Sequence, residues 1–78
     1  MWTNITNPPP DNEVVLFSYR YKDSSWEIAR GYYYVLSDSG AKVVRIIILN
    51  YSILEENFQY FDIYWMPLPE MPDCREKK

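Results

Sequence analysis

Apolar and polar side chains alternate with a period of two along the first predicted strand, residues 13–21. Four apolar or aromatic residues, Val15, Phe17, Tyr19 and Tyr21, fall on one side of it, and the later residues of the other side are polar. This period is typical of a β-strand that buries one face. The pattern therefore predicts a strand whose aromatic side packs in a core.

A second predicted strand, 26–36, has a basic residue on its apolar side. The polar segment 22–25 suits a hairpin loop before this strand. Arg30 lies in register with apolar residues and is followed at once by Gly31. Two interpretations are open: a β-bulge at this pair re-aims the arginine, which we favour, or the basic group lines a partly buried site. The apolar members of that side are Trp26, Ile28, Tyr32 and Tyr34.

A third predicted strand, 42–49, is apolar on both sides. The segment 37–40 ends in Gly40, which tolerates a positive φ, and predicts a turn that joins strands two and three in a hairpin. Two apolar sides indicate burial on both faces. Either the strand is central, covered by the N-terminal arm and the proline-rich tail, or one side contacts another subunit. The side assigned to such an interface comprises Val44, Ile46 and Ile48.

A short helix is predicted between strands three and four. Ser52 and Glu55 have the spacing of a capping box, so one helical turn fits residues 53–57. Strand four follows at 58–65. Together these elements predict an all-β fold. We expect a small antiparallel sheet of four to five strands, rolled toward an SH3-like barrel, with one short helical turn.

Prolines mark both ends of the predicted domain. The prolines at 8–10 separate a short N-terminal arm from the body. Pro67 and Pro69 end the last strand, because proline lacks a backbone donor and has a fixed φ. We predict that Trp2 and Trp65 pack together, with one of these two prolines between their rings.

Length and composition exclude several kinds of chemistry. The 78 residues have room for one core, expected over residues 1–73, with a disordered polar tail at 74–78. The sequence has no histidine and one cysteine, Cys74, which excludes a histidine-based catalytic triad, a zinc site and an intrachain disulfide. Its two glycines are too few for a glycine-rich phosphate loop. We therefore predict a protein that is not an enzyme and has no metal or cofactor.

The charge balance argues against nucleic acid and membranes as partners. The net charge is −3, and residues 1–74 contain five basic against ten acidic residues. Non-specific nucleic-acid binding depends on neutralising phosphates, so an acidic body disfavours it. The apolar runs are too short to span a bilayer, and the first residues lack the features of a secretory signal. The expected location is the cytoplasm.

The aromatic residues point instead to binding. The chain has eight tyrosines and three tryptophans, residue types that are enriched in interfaces. The run 32–34 places rings on both sides of strand two, where arginines can stack beside them. The partner is expected to be a protein; the alternatives are a nucleotide-like molecule held by an oligomer and, third, a single-stranded nucleic acid. The predicted binding residues are Tyr32, Tyr33, Tyr34, Arg20, Arg30 and Arg45.

The two ends of the chain resemble those of a known family. The family's closing run, Trp-Met-Pro-Leu-Pro-Glu-x-Pro, corresponds to residues 65–72, and its opening corresponds to Trp2, the prolines at 8–10 and Val-Val-Leu at 14–16. The chain is thus similar to the small phage- and prophage-encoded family catalogued as domain of unknown function five-five-one. The family's usual histidine before the closing tryptophan is Tyr64 here, so a role that needs an imidazole does not transfer.

The resemblance implies a short cytoplasmic accessory protein of phages or mobile elements with a β-rich fold. It implies no established activity, cofactor or catalytic residue. Together with the missing catalytic residue types, it leads us to expect a protein that binds a host or phage protein, with inhibition of a host process as one consequence. Assembly of the chain with copies of itself, as a homo-oligomer, is the other kind of partner that we expect.

Overall fold

The computed structural model describes residues 1–47 and 49–69. These residues form one open sheet of six strands in the order β1-β6-β2-β3-β4-β5, and every neighbouring pair is antiparallel. The all-β prediction is confirmed, with one strand more than the upper number expected. The predicted tail and its boundary lie outside the described residues. The elements are β1 (Thr3–Asn4), β2 (Val15–Tyr21), β3 (Glu27–Val35), β4 (Lys42–Ile46), β5 (Tyr51–Leu54), a 3-10 helix η1 (Glu55–Tyr60) and β6 (Phe61–Pro67).

One side of the sheet, here called the inner face, forms the core. The side of β2 predicted to be buried supplies Val15, Phe17 and Tyr19, all at most 5% exposed. Half-buried residues from the N-terminal arm, η1 and β6 pack against them, including Ile5 and Phe58. The opposite side of the sheet is called the outer face. The other buried members of the core are Tyr33, Val44, Ile46, Ile53 and Ile63.

The two predicted hairpin turns are confirmed. In the loop between β2 and β3, Asp23 takes a φ of 69° and the amide of Ser24 donates to the carbonyl of Tyr21. In the turn between β3 and β4, Gly40 has a φ of 75° and its amide donates to the carbonyl of Leu36 at 2.8 Å. Polar residues and glycine at these positions allow the chain to reverse without steric cost.

The predicted bulge at Arg30 and Gly31 is wrong. Gly31 forms the end pair of two ladders, with Val15 of β2 and with Ile46 of β4, and neither ladder contains an extra residue. The alternative, a partly buried basic site, does not hold either, because Arg30 is exposed on the outer face. The side of β3 that carries the arginine is not the core side. Tyr33 and the glycine lie on the core side instead.

The third predicted strand, 42–49, is shorter than expected, and a tight turn separates it from a strand that was not predicted, β5. β4 ends at Ile46, and the amide of Asn50 donates to the carbonyl of Ile47 at 3.1 Å to close the turn. Asn50 takes a φ of 52°, which asparagine tolerates better than most residues. The chain then returns as β5, antiparallel to β4.

The residues assigned to a subunit interface must therefore be corrected. Val44 and Ile46 have no exposed surface, since they lie on the inner face in the core of the chain itself. They stabilise the chain's own core and are not accessible to a partner. Ile48, the third residue of the predicted interface, lies outside the described residues. The interpretation of this segment as part of a central strand fits β4 alone.

The predicted capping box does not form. Ser52 belongs to β5, and its hydroxyl accepts a hydrogen bond from Arg45 at 2.8 Å. Glu55 accepts from the backbone amide of Lys42 at 3.0 Å and forms a 3.6 Å ion pair with the same residue. The helix starts at Glu55 with no side-chain cap on Leu54. One short helical segment is present as predicted, but it begins later and is of the 3-10 type.

The N-terminal arm is attached along one end of the sheet. Thr3 pairs with Trp65, and the indole Nε1 of that tryptophan donates to the carbonyl of Asn7 at 2.7 Å. Pro9 is buried, and the amide of Asn12 donates to the carbonyl of Tyr33 at 2.8 Å. The proline segment therefore covers an edge of the core instead of forming a free linker.

The predicted packing of Trp2 against Trp65 is wrong. Trp65 packs against the core on the inner face, whereas Trp2 lines a groove on the outer face. Side chains alternate between faces along a strand, so the residue before Thr3, the partner of Trp65, lies on the opposite side. Pro67 is the last residue of β6 and pairs with Val15, and Pro69 is exposed beyond it.

Candidate functional site

An apolar groove lies on the outer face near β1, β2, β3 and β6. Trp2, Trp26 and Ile28 form most of it and are 39%, 45% and 62% exposed. The rings of Trp26 and Tyr64 are 6.0 Å apart between centroids. The volume is about 450 Å³, and Ser18 lies at the floor. We call this set of five residues the tryptophan groove.

The pairing of the strands explains why a groove forms here. Ser18 of β2 is paired with Ile28 on one side and with Tyr64 on the other. Its small side chain lies between two large ones, which leaves a depression along the strand. The start of the N-terminal arm closes one end with Trp2. The groove therefore depends on residues that are far apart in sequence.

Arg20 borders the tryptophan groove and orders one of its rings. Its Nε donates to Asp62 at 2.8 Å, and its guanidinium carbon lies 4.6 Å from the centre of the Trp26 ring. The carboxylate of Asp62 thus fixes a guanidinium that makes a cation–π contact with the tryptophan ring. The ion pair uses Nε, so the two terminal amino groups of the guanidinium remain available to an acceptor from outside.

A second cluster of predicted binding residues lies further along the outer face. Tyr32 is paired with Arg45 across β3 and β4. The rings of Tyr32 and Tyr34 lie 5.7 Å apart and are half-buried. Arg45 donates to the hydroxyl of Ser52 and to the side-chain carbonyl of Asn50, so it is held in place by the turn between β4 and β5.

Arg30 is the most accessible cation of the outer face. It lies on β3 between Ile28 and Tyr32, opposite Leu16 of β2. It is exposed, and none of the side-chain hydrogen bonds or ion pairs in the described part of the chain includes it. It therefore connects the tryptophan groove with the pair Tyr32 and Tyr34, here called the tyrosine cluster, and offers all its donors to solvent.

Five of the six predicted binding residues share the outer face. The exception is Tyr33, which is 3% exposed in the core. Four further residues of this face were not predicted as binding residues: Trp2, Trp26, Ile28 and Tyr64. The available signal was the side of β3 that carries Arg30, since Trp26 and Ile28 lie on that side too.

Charge is distributed unevenly over the described residues. The three arginines among the described residues lie on the outer face, where Asp62 of β6 is paired with Arg20. The rest of the described chain has two lysines against seven acidic residues. The outer face is therefore electropositive, whereas the rest of the described chain is acidic. It also has the residue types, tryptophan, tyrosine and arginine, that dominate binding hot spots.

Burial gives two core tyrosines a distinct response to alkaline pH. It raises the pKa of the Tyr33 and Tyr19 hydroxyls above the ordinary 10.0, with nearby Glu27 adding to the effect on Tyr19. Below pH 10 both hydroxyls are neutral in the folded and unfolded chains. Above pH 10 the two tyrosine hydroxyls lose their protons in the unfolded chain before they do so in the folded chain. The free energy of unfolding should therefore fall as the pH rises from 10 through the raised pKa values of the folded chain.

This pH effect can be measured by thermal unfolding at a series of alkaline pH values. We expect the unfolding midpoint to fall more steeply above pH 10 in the native sequence than in Tyr33→Phe, which cannot ionise at that position. An absorbance titration of tyrosinate in the two proteins provides the control, since Tyr33→Phe should remove one tyrosine from the part of the titration above pH 10. An equal fall of the unfolding midpoint with pH in both proteins would contradict a raised pKa at Tyr33.

The described residues include no group of three or more Cys, Asp and Glu side chains placed to hold a metal ion. In the same part of the chain, no helix is long and apolar enough to cross a membrane. Comparisons of the chain with models of protein families, with curated proteins and with solved structures found no match.

Proposed function

We propose that the chain is a non-enzymatic binding protein that recognises another protein through its outer face. The observation behind the proposal is the tryptophan groove, where large apolar side chains are exposed on a regular strand surface. Such patches on small proteins mark interaction sites, because leaving them in water gains nothing for the fold. Tryptophan and tyrosine contribute large contact area at low entropic cost.

The arrangement of the outer face supports a protein partner. The tryptophan groove supplies an apolar centre, and Arg20 with Asp62 forms a polar border beside it. Interfaces of proteins commonly combine an apolar centre with a polar rim. This composition favours a protein over a small nucleotide-like ligand, since the groove is shallow and open. The homo-oligomer with a bound nucleotide remains the alternative hypothesis.

We place this binding activity in the cytoplasm of a bacterial host. The basis is the resemblance of the chain's two ends to the phage- and prophage-encoded family, which implies an accessory protein acting on a host or phage protein. Inhibition of a host process is the proposed consequence of such binding. The tryptophan groove, and not the strand-three residues proposed from the sequence, is the expected contact.

The proposal is tested by capture of partners from a bacterial lysate with matched variants. Ile28→Glu places a charge at the groove, whereas Leu49→Glu places the same charge in the turn after β4. The two residues are exposed to the same degree, 62% and 61%. We expect Ile28→Glu to reduce the amount of captured partner by about tenfold or more and Leu49→Glu to leave it unchanged.

Circular dichroism of both variants checks that they remain folded, since surface substitutions usually change stability by less than about 0.5 kcal/mol. Capture that is equal for the two variants would place the contact elsewhere. Native mass spectrometry of the gently purified chain addresses the alternative. A defined oligomer with additional bound mass would favour ligand capture over the proposed function.

A further inference from the structure

We infer that the partner surface that covers the outer face is acidic, and that Arg30 and Arg45 receive its carboxylates. The inference rests on the proposed protein-binding function and names the chemistry of the partner. It is drawn from the position of the arginines in the sheet and from the distribution of charge over the described residues.

The register of the sheet makes two arginines of the outer face close neighbours. Tyr32 lies directly opposite Arg45, so Arg30, two residues before it, is a diagonal neighbour of Arg45. Diagonal neighbours are about 7–8 Å apart, with their β-carbons somewhat closer, so long side chains at the two positions can contact one partner surface. Arg45 is already oriented by Ser52 and Asn50, whereas Arg30 points its donors to solvent. Two carboxylates of one partner surface would therefore suit this pair, with one at each arginine.

Covering the outer face requires a counter-charge for Arg30. The residue lies between the tryptophan groove and the tyrosine cluster, so a partner that contacts both must bury it. An arginine buried without an anion loses its hydration and gains nothing in return. A wholly apolar partner would therefore bind poorly. A partner with carboxylates beside its apolar residues would satisfy both parts of the surface.

The choice of arginine fits this chemistry. The three cations of the outer face are all arginines, and the two lysines of the described chain lie elsewhere. The guanidinium group is planar and presents paired donors that match the two oxygens of a carboxylate. It is also less strongly hydrated than an ammonium group, so it loses less when a partner excludes water. Arg20 can add its terminal amino groups at the groove.

Two other partners, a second copy of the chain and a nucleic acid, are less complementary to the charge of the outer face. A second copy docked face to face would bring Arg30 and Arg45 of one chain toward those of the other, and like charges repel. A nucleic acid would meet favourable arginines on this face but repulsion from the remainder, where the described chain has seven acidic residues against two lysines. An acidic protein surface meets neither obstacle.

The test uses the full chain and two fluorescein-labelled peptides measured by fluorescence anisotropy. One peptide places glutamates on both sides of a leucine–tryptophan pair, and the other replaces each glutamate with glutamine. We expect the glutamate peptide to bind about tenfold more tightly, since that corresponds to one well-formed charge pair. Arg30→Glu should remove this preference. Lys22→Glu makes the same charge change in the β2–β3 loop and should keep it.

Arg30→Lys provides a milder variant, which keeps the charge but loses the paired donors and should weaken binding in part. Equal binding of the two peptides, or no binding of either, would overturn the inference. Tighter binding of a labelled poly-thymidine strand, with affinity falling steeply with salt, would overturn it in favour of nucleic acid. Ile28-dependent capture from the lysate is measured separately, so the protein-binding proposal can survive the loss of this inference.

Discussion

Replacement of Gly31 by alanine is expected to destabilise the chain by about 3 kcal/mol or more, because the interior has no space for an added methyl group. A β-carbon at this position would overlap the backbone carbonyl oxygen of Arg45 and lie 3.0 Å from Cδ2 of Phe17. The carbonyl belongs to the neighbouring strand β4 and can move only if the pairing of Gly31 with Ile46 is disturbed. The cost therefore falls on the sheet itself.

The loss is large for a domain of this size. A chain of 78 residues is expected to have a total stability of roughly 4–12 kcal/mol. A change of 3 kcal/mol lowers the thermal midpoint of such a domain by roughly 12–24 °C. Differential scanning calorimetry of the two proteins would measure it, with urea titration as an independent estimate of the same free energy.

Gly40→Ala is the matched control for this prediction. Gly40 has nothing within 4 Å of an added β-carbon but takes a φ of 75°. Alanine there pays only the cost of the left-handed conformation, about 1–2 kcal/mol. A smaller effect at Gly31 than at Gly40 would show that β3 and β4 adjust to the methyl group, contrary to the close approach seen between them.

Local patterns were sufficient to predict strands that bury one side. β2 was predicted correctly, including its core residues Val15 and Phe17, because the period of two is contained within the segment. The turns before β3 and β4 were predicted for a similar reason, since glycine and short polar residues adopt the necessary backbone angles locally. The hydrophobic pattern therefore predicted the all-β class.

The missing strands depend on contacts that no local pattern shows. β1 has two residues, and it forms because Thr3 pairs with Trp65, more than 60 positions away. β5 was hidden because the apolar run continues through the turn after Ile46, where Asn50 is the one local indication of a reversal. Because the apolar run was interpreted as one long strand with two apolar sides, Val44 and Ile46 were predicted to contact another subunit, although both lie in the core.

The candidate site was predicted only in part, because it too depends on contacts between strands that are distant in sequence. Arg30 among the apolar residues of β3 indicated that this side of the strand is not fully buried. In the structure this side faces solvent. The tryptophan groove required the register of three strands, since Ser18 separates Ile28 from Tyr64 only when β2 pairs with both neighbours. Sequence alone supplies the residues of such a groove but not their neighbours.

Replacement of Trp65 by alanine is expected to cost about 3 kcal/mol, whereas Trp26→Ala should cost about 1 kcal/mol or less. The two tryptophans have similar chemistry but lie on opposite faces. Trp65 packs against the core and donates to the carbonyl of Asn7 at 2.7 Å, so it joins the N-terminal arm to the sheet. Trp26 is 45% exposed on the outer face.

Trp65→Phe separates packing from the hydrogen bond. Phenylalanine retains most of the ring contact but has no indole donor, so it should lose about 1 kcal/mol, the typical net value of one hydrogen bond. Thermal unfolding measures the three variants, and hydrogen exchange at the amide of Asn12 reports whether the arm loosens in Trp65→Phe. A loss of stability in Trp26→Ala equal to that in Trp65→Ala would show that the outer face stabilises the fold. In that case its exposed tryptophans would no longer be explained by partner binding.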